Sequence, residues 1–512
     1  MSTKIDNLRA TLDEAITALA EARWDAVLDH LRECEDWPIE IAEHAVLVKA
    51  DTLTRRDAAA GLAWLAATQD IVLTDGARFT RELLTGRAYA NVRSFDAAAA
   101  RFERARRLLD NVPGGAPRLA YHTARLRWFR REAQPDDADV TLALTDPDPT
   151  GRASAYSVRA WTHASNGNFR GQIADLRTAL DIAESVDYRC DVAVLGIIVF
   201  TLARIAFEVA DGAAMDVARK AFDRIRWTDD VRVDRFQTLR ALGLDAFMRG
   251  ESAKAQWLFR DASTLAPTPA FRAFAHLDRA YVARIGRNEA WALDEIYEAV
   301  RLAQSVQWGQ TQGEERYALV LLAILLAPVD ASEAQRYAAT FSMLGTDSVN
   351  PTLSMSRDQR NAGWEKYAFG RIEQTLGNTD TALVALKGAY EIFAPIEHHY
   401  MGMLIATALA ELSGDAAWVQ KANDHIAQYP GCPMAAKATA NAPYADPVLD
   451  ALSPLQRQIA RAHWSGLNLD DLSRRFSRSL YTIEHHLGEV YGAFGVASSS
   501  ALRDEALRRG LA

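Results

Sequence analysis

Helical segments in which small residues alternate with single large side chains recur along most of this chain. Their apolar residues are three or four positions apart, which is the period of an amphipathic helix. The clearest segment contains, in order, Leu242, Gly243, Ala246, Gly250, Ala255, Phe259, Ala262 and Pro267. Glycine and alanine let two helices cross closely, a large side chain fills the space between them, and proline ends the second helix. Because such a pair cannot bury its apolar face alone, the pattern predicts an all-α array of stacked pairs.

Four further segments repeat this order, clearly at 86–105, again at 370–389, loosely at 160–179 and faintly at 24–38. The order resembles the tetratricopeptide repeat, and the resemblance covers roughly residues 20–430 with gaps. It implies a helical superhelix whose concave groove binds a protein, a peptide or a small-molecule effector. The alternative is a non-repetitive all-helical domain. We also expect the spaced tryptophans, for example Trp257, to lie in the core, and the proline-rich stretch 134–151 to be a loop.

Residues 429–451 mark the clearest boundary, because five proline and glycine residues fall there among alanine and asparagine without a regular pattern. Such a composition is typical of an interdomain linker. We therefore predict three parts. A helical repeat domain covers 1–430, a linker covers 431–445, and a small C-terminal module covers 446–512.

The C-terminal module has the pattern of four short helices. Ser453 and Pro454 are suited to begin the first, over 456–464. The second is expected over 469–476, the third over 480–494 and the fourth over 499–509. The third has the apolar stripe of Ile483, Leu487, Val490 and Phe494. A short helix, a tight turn and a longer helix form a helix-turn-helix.

The module resembles the LuxR-type helix-turn-helix domain of bacterial regulators from Leu452 to Leu511. The matching positions are Leu452, Ser453, Pro454, Arg457, Gly466, Leu467, Leu472, Arg475, Ser479, Thr482, Ile483, His486, Leu487, Tyr491, Gly495 and Val496. This resemblance implies sequence-specific binding to double-stranded DNA in transcription regulation, with the third helix in the major groove. The layout is also similar to that of MalT-like regulators, but without their ATPase domain. No GxxxxGK[ST] sequence is present, so we expect no ATP-driven switching.

The resemblance implies that the side chains at 484, 485 and 488 read bases, and the arginines beside the third helix are candidates for phosphate contacts, although Arg478 stands where the family usually has an apolar residue. The expected contacts are Arg474, Arg475, Arg478, Tyr481, Thr482, Glu484, His485 and Gly488. The arginines and Thr482 would hold phosphates, while a glutamate at 484 would accept from a cytosine amino group and His485 would reach a base edge. Where the family usually has lysine, this chain has Glu484. The fourth helix of the family often pairs, so Leu502 and Leu507 are expected at a homodimer surface.

The net charge of the module bears on whether it binds DNA or has another function. Residues 446–512 contain eight arginines and eight acidic residues, and the third helix has no lysine or arginine. Since phosphate neutralisation supplies most non-specific affinity, a neutral module should bind arbitrary DNA weakly. The first reading is a regulator whose DNA contacts favour specificity. The alternative is an interaction scaffold whose module has lost DNA and mediates protein contacts or dimerisation.

Other classes of protein have no support in the sequence. The formal net charge of −9 excludes a basic coat over the whole chain. No catalytic, metal-binding or cofactor motif is visible, and Cys34, Cys190 and Cys432 are far apart, so we expect neither an enzyme nor a cofactor. The apolar runs 192–203 and 318–328 are too short to span a bilayer and should be buried helices. We expect a cytoplasmic protein without membrane contact.

Overall fold

The computed structural model of this chain describes residues 2–71, 74–285, 289–311, 313–346, 359–434, 448, 451–464, 467–476 and 478–508. Every regular element in these ranges is an α-helix or a short 3-10 helix, and they contain no strand. The all-α fold class is therefore confirmed.

The chain forms two compact units, and among the described residues the first ends at Leu242 and the second begins at Gly243. The boundary falls inside a helix. The helices up to and including it are α1 (Ser2–Ala20), α2 (Trp24–His30), α3 (Ile39–Arg56), α4 (Ala58–Ala67), α5 (Asp75–Asn91), α6 (Phe95–Arg106), α7 (Gly115–Arg130), α8 (Ala138–Ala143), α9 (Pro149–Ser165), α10 (Phe169–Ser185), α11 (Val192–Glu208), α12 (Gly212–Arg224) and α13 (Arg232–Met248).

The second unit contains two sets of helices, before and after the predicted linker. The first set is α14 (Ser252–Leu265), α15 (Pro269–Ile285), α16 (Glu289–Ala303), α17 (Tyr317–Leu326), α18 (Ala331–Thr346), α19 (Gln359–Leu376), α20 (Thr379–Phe393), α21 (His399–Ser413) and α22 (Ala416–Ile426). The second set is α23 (Pro454–Trp464), α24 (Leu469–Phe476), α25 (Leu480–Phe494) and α26 (Ser499–Arg508).

Glycines let the paired helices cross closely, as the sequence predicted. A Cβ atom added to Gly243 would lie 2.7 Å from the ring of Phe259 on the next helix. Gly370 has the same relation to Leu386, also at 2.7 Å, and Gly86 packs directly against Phe102. In each pair the large side chain follows sixteen positions after the glycine. The recurring pattern therefore marks a recurring contact between consecutive helices.

Three expectations from the sequence are wrong or incomplete. The stretch 134–151 is not a continuous loop, because Val140 and Ala143 are buried on the short helix α8. Trp257 is 60% exposed and lies outside the core. At the start of the predicted linker Cys432 is buried, and a Cβ on Gly431 would lie 2.5 Å from the carbonyl oxygen of Arg249. The remainder of that linker, 435–445, lies outside the described residues.

The two apolar runs form the helices α11 and α17, and most of their side chains are buried within the protein. No helix in the described part of the chain combines the length and apolar character needed to cross a bilayer.

Candidate nucleic-acid interface

The helices α23, α25 and α26 share a small core of their own. Its buried side chains are Leu452, Ala460, Trp464, Val490, Phe494, Leu502 and Ala506. The predicted apolar stripe of α25 is confirmed, since Ile483, Leu487, Val490 and Phe494 are each at most 5% exposed. This core positions α25, whose opposite face is then directed to solvent.

Polar side chains fix where these helices begin. The Ser453 amide donates to Gln456 Oε1 at 2.7 Å, and the Gln456 amide donates to Ser453 Oγ at 3.3 Å. This reciprocal pair is a capping box, and it confirms Ser453 as the cap of α23. The Asp471 amide donates to Asn468 Oδ1 at 2.9 Å at the start of α24. Gly466 lies outside the described residues.

The turn between α24 and α25 is held from both sides. The Arg478 amide donates to the Ser473 carbonyl at 3.1 Å, while Ser473 Oγ donates to the Arg478 carbonyl at 2.5 Å. The Thr482 amide donates to Ser479 Oγ at 3.2 Å, so Ser479 caps α25. At the far end Gly495 has φ +68°, the left-handed conformation that ends a helix. The relative placement of the two helices is therefore fixed by local hydrogen bonds.

Four of the predicted DNA-contacting residues share the solvent face of α25. Tyr481 is 80% exposed, and Glu484, His485 and Gly488 are also exposed. Among the described residues, Glu484 has neither a hydrogen bond nor an ion pair. His485 Nε2 lies 3.7 Å from Glu489 Oε1. The face is thus mostly uncommitted to contacts within the chain.

A second acid lies beside this face and was not selected from the sequence. Glu489 accepts a short hydrogen bond from the Gln456 side chain of α23, and its Oε2 lies 3.4 Å from His486 Nδ1. The hydrogen bond from Gln456, supported by His486, lowers the pKa of Glu489. Helix α25 therefore carries two acidic residues, Glu484 and Glu489, and no lysine or arginine.

The predicted phosphate-contacting residues divide into exposed and engaged groups. Arg474 is 65% exposed and pairs with Asp471 at 2.7 Å within α24. Arg478 is exposed in the turn. The Thr482 hydroxyl lies 2.8 Å from the Ser479 hydroxyl and is half-buried, so it takes part in the cap.

Arg475 is directed to another part of the second unit. Its side chain is only 22% exposed, and its Nη1 lies 3.5 Å from Glu289 Oε1 on α16. Glu289 also lies 3.3 Å from Arg284 Nη2. Burial lowers the pKa of Arg475, and the charge of Glu289 opposes this change. Sequence reasoning missed Glu289, since 186 residues separate the partners and no local pattern connects them.

A neighbouring aromatic residue indicates the same proximity. Burial raises the pKa of Tyr297 on α16, and the charges of Arg474 and Asp471 on α24 act on the same phenol. Helix α24 therefore lies beside α16, with Arg475 on the covered side and Arg474 in solvent.

The two residues expected at a dimer surface do not share one environment. Leu502 is fully buried in the core of the module, so its side chain packs inside the chain. The side chain of Leu507 lies outside the described residues. A homodimer would have to use other side chains than Leu502, because that leucine is already covered.

Comparison with known proteins gives a short match. A 60-residue stretch is 40% identical to the "Putative HTH-type transcriptional regulator Mb0914c" of Mycobacterium bovis and to the "Putative HTH-type transcriptional regulator MT0914" of Mycobacterium tuberculosis. It covers 12% of this chain and 7% of each relative. No family model matches the chain. The match supports a helix-turn-helix regulator.

Proposed function

We propose that this protein is a DNA-binding transcriptional regulator of the LuxR type. Residues 446–512 bind double-stranded DNA, and the tetratricopeptide-like domain over 1–430 senses an effector or docks a protein partner. The observation that carries the proposal is the solvent face of α25, where Tyr481, Glu484, His485 and Gly488 are exposed beside a firmly capped turn. The match to helix-turn-helix regulators supports the same function.

In this arrangement α25 enters the major groove and α24 crosses the phosphate backbone. Arg474 and Arg478 are exposed and can reach phosphates, which position the protein without reading sequence. Glu484 accepts from a cytosine amino group, and His485 contacts a base edge. A carboxylate has no favourable interaction with phosphate, so the face selects among sequences more than it attracts DNA in general.

The charge balance makes pairing of two modules useful. Eight arginines and eight acids leave residues 446–512 neutral, so one module gains little from counterion release. A homodimer doubles the phosphate and base contacts on one duplex. We place its surface away from Leu502, and we expect the protein to work in the cytoplasm, where bacterial DNA is accessible.

Contact between α16 and α24 gives the repeat domain a means of control. Glu289 holds Arg475 at 3.5 Å, away from a position on the phosphate backbone. Any event that moves α16 releases this arginine, and a released arginine adds one phosphate contact. Regulation of DNA affinity would then act through a single ion pair.

Fluorescence anisotropy with pooled random-core duplexes tests the proposal on the full-length protein. Arg474→Gln should weaken binding and make the slope of log affinity against log salt shallower by about 0.9. Arg301→Gln is the matched control, because Arg301 is 67% exposed and pairs with Glu298 three residues earlier, as Arg474 pairs with Asp471. Equal slopes for both variants would place α24 away from DNA.

The second candidate function is a scaffold that binds protein through the module. One observation favours it, since Leu480 and Tyr481 are adjacent and 45% and 80% exposed. Under this alternative, Tyr481→Ser would weaken binding to a partner protein. DNA binding would be absent even at about 20 mM salt, where phosphate contacts are strongest.

A further inference from the structure

A cavity of about 490 Å³ lies in the first unit between α1, α3, α5 and α7. Its volume falls in the range of roughly 300–1,000 Å³ that is usual for small-molecule sites. One part of its wall is apolar and the other is charged. The apolar wall includes Leu19, Leu47, Val48, Leu83 and Leu84.

Charge balances over the side chains that line the cavity. Arg87 and Arg118 are cationic, and Glu43 and Asp51 are anionic. Arg55 and Asp191 form a further ion pair behind Asp51. The attraction of an anion therefore depends on which of these charges are already paired.

The carboxylates are already engaged by neighbouring groups. Asp51 pairs with Arg55 at 3.1 Å and closely with Arg87. Burial alone would raise the pKa of Asp51, but the two arginines lower it well below its usual range. Asp191 lies 2.6 Å from Arg55 Nη1. It also accepts a hydrogen bond from the Ala193 amide and so caps the start of α11.

Glu43 is occupied in a similar way. It accepts from the Thr74 amide at 2.6 Å and from the Thr74 hydroxyl at 2.9 Å, which fixes the start of α5. Its charge reduces the local field, but its oxygens are turned to Thr74. The lining side-chain donors without a hydrogen bond to another described residue are therefore His44 on α3 and Arg118 and His122 on α7.

Arg118 and His122 are one helical turn apart on α7, and both line the cavity. Arg118 is exposed and lies 5.7 Å from the ring centroid of Phe79, and it forms no ion pair among the described residues. His122 stacks on Phe102 with ring centroids 5.7 Å apart, which fixes its plane. Neither side chain has a hydrogen bond to another described residue.

The pKa of the His122 imidazole depends on its burial and on the charges around the cavity. Burial lowers its pKa well below the usual value, and the charges of Arg87, Arg125 and Arg118 lower it further against the weaker effect of Asp51. The ring is therefore neutral near pH 7 and offers one N–H donor. Together Arg118 and His122 present donors without a matching acceptor.

We propose that this cavity binds a small organic acid, with its carboxylate on Arg118 and His122 and its apolar body against the leucines of α1, α3 and α5. The role of this ligand as the effector rests on the proposed function, whereas its binding does not. A guanidinium recognises a carboxylate by two parallel hydrogen bonds, and the apolar wall gives affinity to the hydrocarbon part.

Isothermal titration calorimetry on the full-length protein tests the site with 2-naphthoate and its uncharged counterpart 2-naphthamide. Saturable binding of 2-naphthoate with at least about ten-fold weaker binding of the amide is expected, since a charged hydrogen bond is lost. Arg118→Gln should weaken 2-naphthoate binding by a similar factor, and Arg118→Lys should lose less. Arg118 is exposed, so neither change should disturb the fold.

Arg78→Gln is the matched control. Arg78 is an exposed arginine of α5 that lies 3.6 Å from Asp75 and does not line the cavity. This variant should bind 2-naphthoate like the unchanged protein. A tetrapeptide with a free or an amidated C-terminus distinguishes a small acid from a chain terminus as the source of the carboxylate.

The proposal is overturned if no free acid binds saturably, if 2-naphthamide binds as well as 2-naphthoate, or if Arg118→Gln and Arg78→Gln behave alike. The titration contains no DNA, so a failure of DNA binding leaves its result unaffected. Conversely, a protein that binds DNA but no acid would retain the proposed function and lose this site.

Discussion

Glu484→Lys should convert a selective DNA-binding face into a stronger and less selective one. Glu484 is exposed on α25 and has no hydrogen bond or ion pair to another described residue, so lysine fits without repacking. The change takes residues 446–512 from a net charge of 0 to +2. A lysine at this site gains a phosphate contact, and the acceptor for a cytosine amino group is lost.

The magnitude follows from counterion release. One added phosphate contact steepens the slope of log affinity against log salt by about 0.9. A rise from about 50 to about 200 mM salt then lowers the affinity of the variant by about 3.5-fold more than that of the unchanged protein. At the position read by Glu484, the preference for the correct base should fall by about 1–3 kcal/mol.

Anisotropy titrations with random-core duplexes over this salt range measure the slope. Glu132→Lys is the control, because Glu132 is exposed in the first unit and its substitution changes the net charge equally. If the slope of Glu484→Lys stays that of the unchanged protein, or if Glu132→Lys steepens it equally, α25 does not face DNA and the reasoning is refuted.

Three other perturbations test separate parts of the structure. Glu289→Gln should release Arg475 and steepen the slope of log DNA affinity against log salt by up to about 0.9, whereas Glu298→Gln on the same helix should leave this slope unchanged. Equal slopes for the two variants would mean that Arg475 does not reach DNA. Gly243→Ala should lower the free energy of unfolding by about 1–3 kcal/mol, because the added methyl group would clash with Phe259. Gly492→Ala has open space around it and should raise the free energy of unfolding by up to about 1 kcal/mol. Urea midpoints that shift in the same direction for both variants would contradict the close crossing of α13 and α14. Burial and the charge of His399 lower the pKa of His425 to about 4 in the folded protein. Between pH 4 and the ordinary histidine pKa of about 6.5, the unfolded state therefore binds more protons than the folded state, and stability should fall as the pH falls through this window. His425→Gln should flatten this part of a plot of Tm against pH.

The small C-terminal module was predictable because its signals are local. Ser453, Ser479 and Gly495 mark helix ends within a few residues of the hydrogen bonds they make. The apolar stripe of α25 likewise appears as a simple period. The helix pairs were recognisable for a related reason, since a glycine and the large side chain that covers it lie sixteen positions apart.

Features that depend on distant residues were not predictable in the same way. The pairing of Arg475 with Glu289 joins side chains 186 positions apart, and the cavity draws its wall from four helices. Leu502 and Trp257 show the same limit, since which face of a short helix is covered depends on its neighbours. Leu502 is buried where exposure was expected, and Trp257 is exposed where burial was expected.

Selection of bound duplexes from a random pool by the full-length protein is the decisive experiment for sequence-specific DNA binding. We expect sequencing to recover an enriched site. The double variant Glu484→Ala, His485→Ala should lose this preference, while Glu132→Ala should keep it. A pool that stays random through repeated rounds at about 50 mM salt, where phosphate contacts are still strong, would contradict sequence-specific DNA binding. It would leave the scaffold as the function of the module.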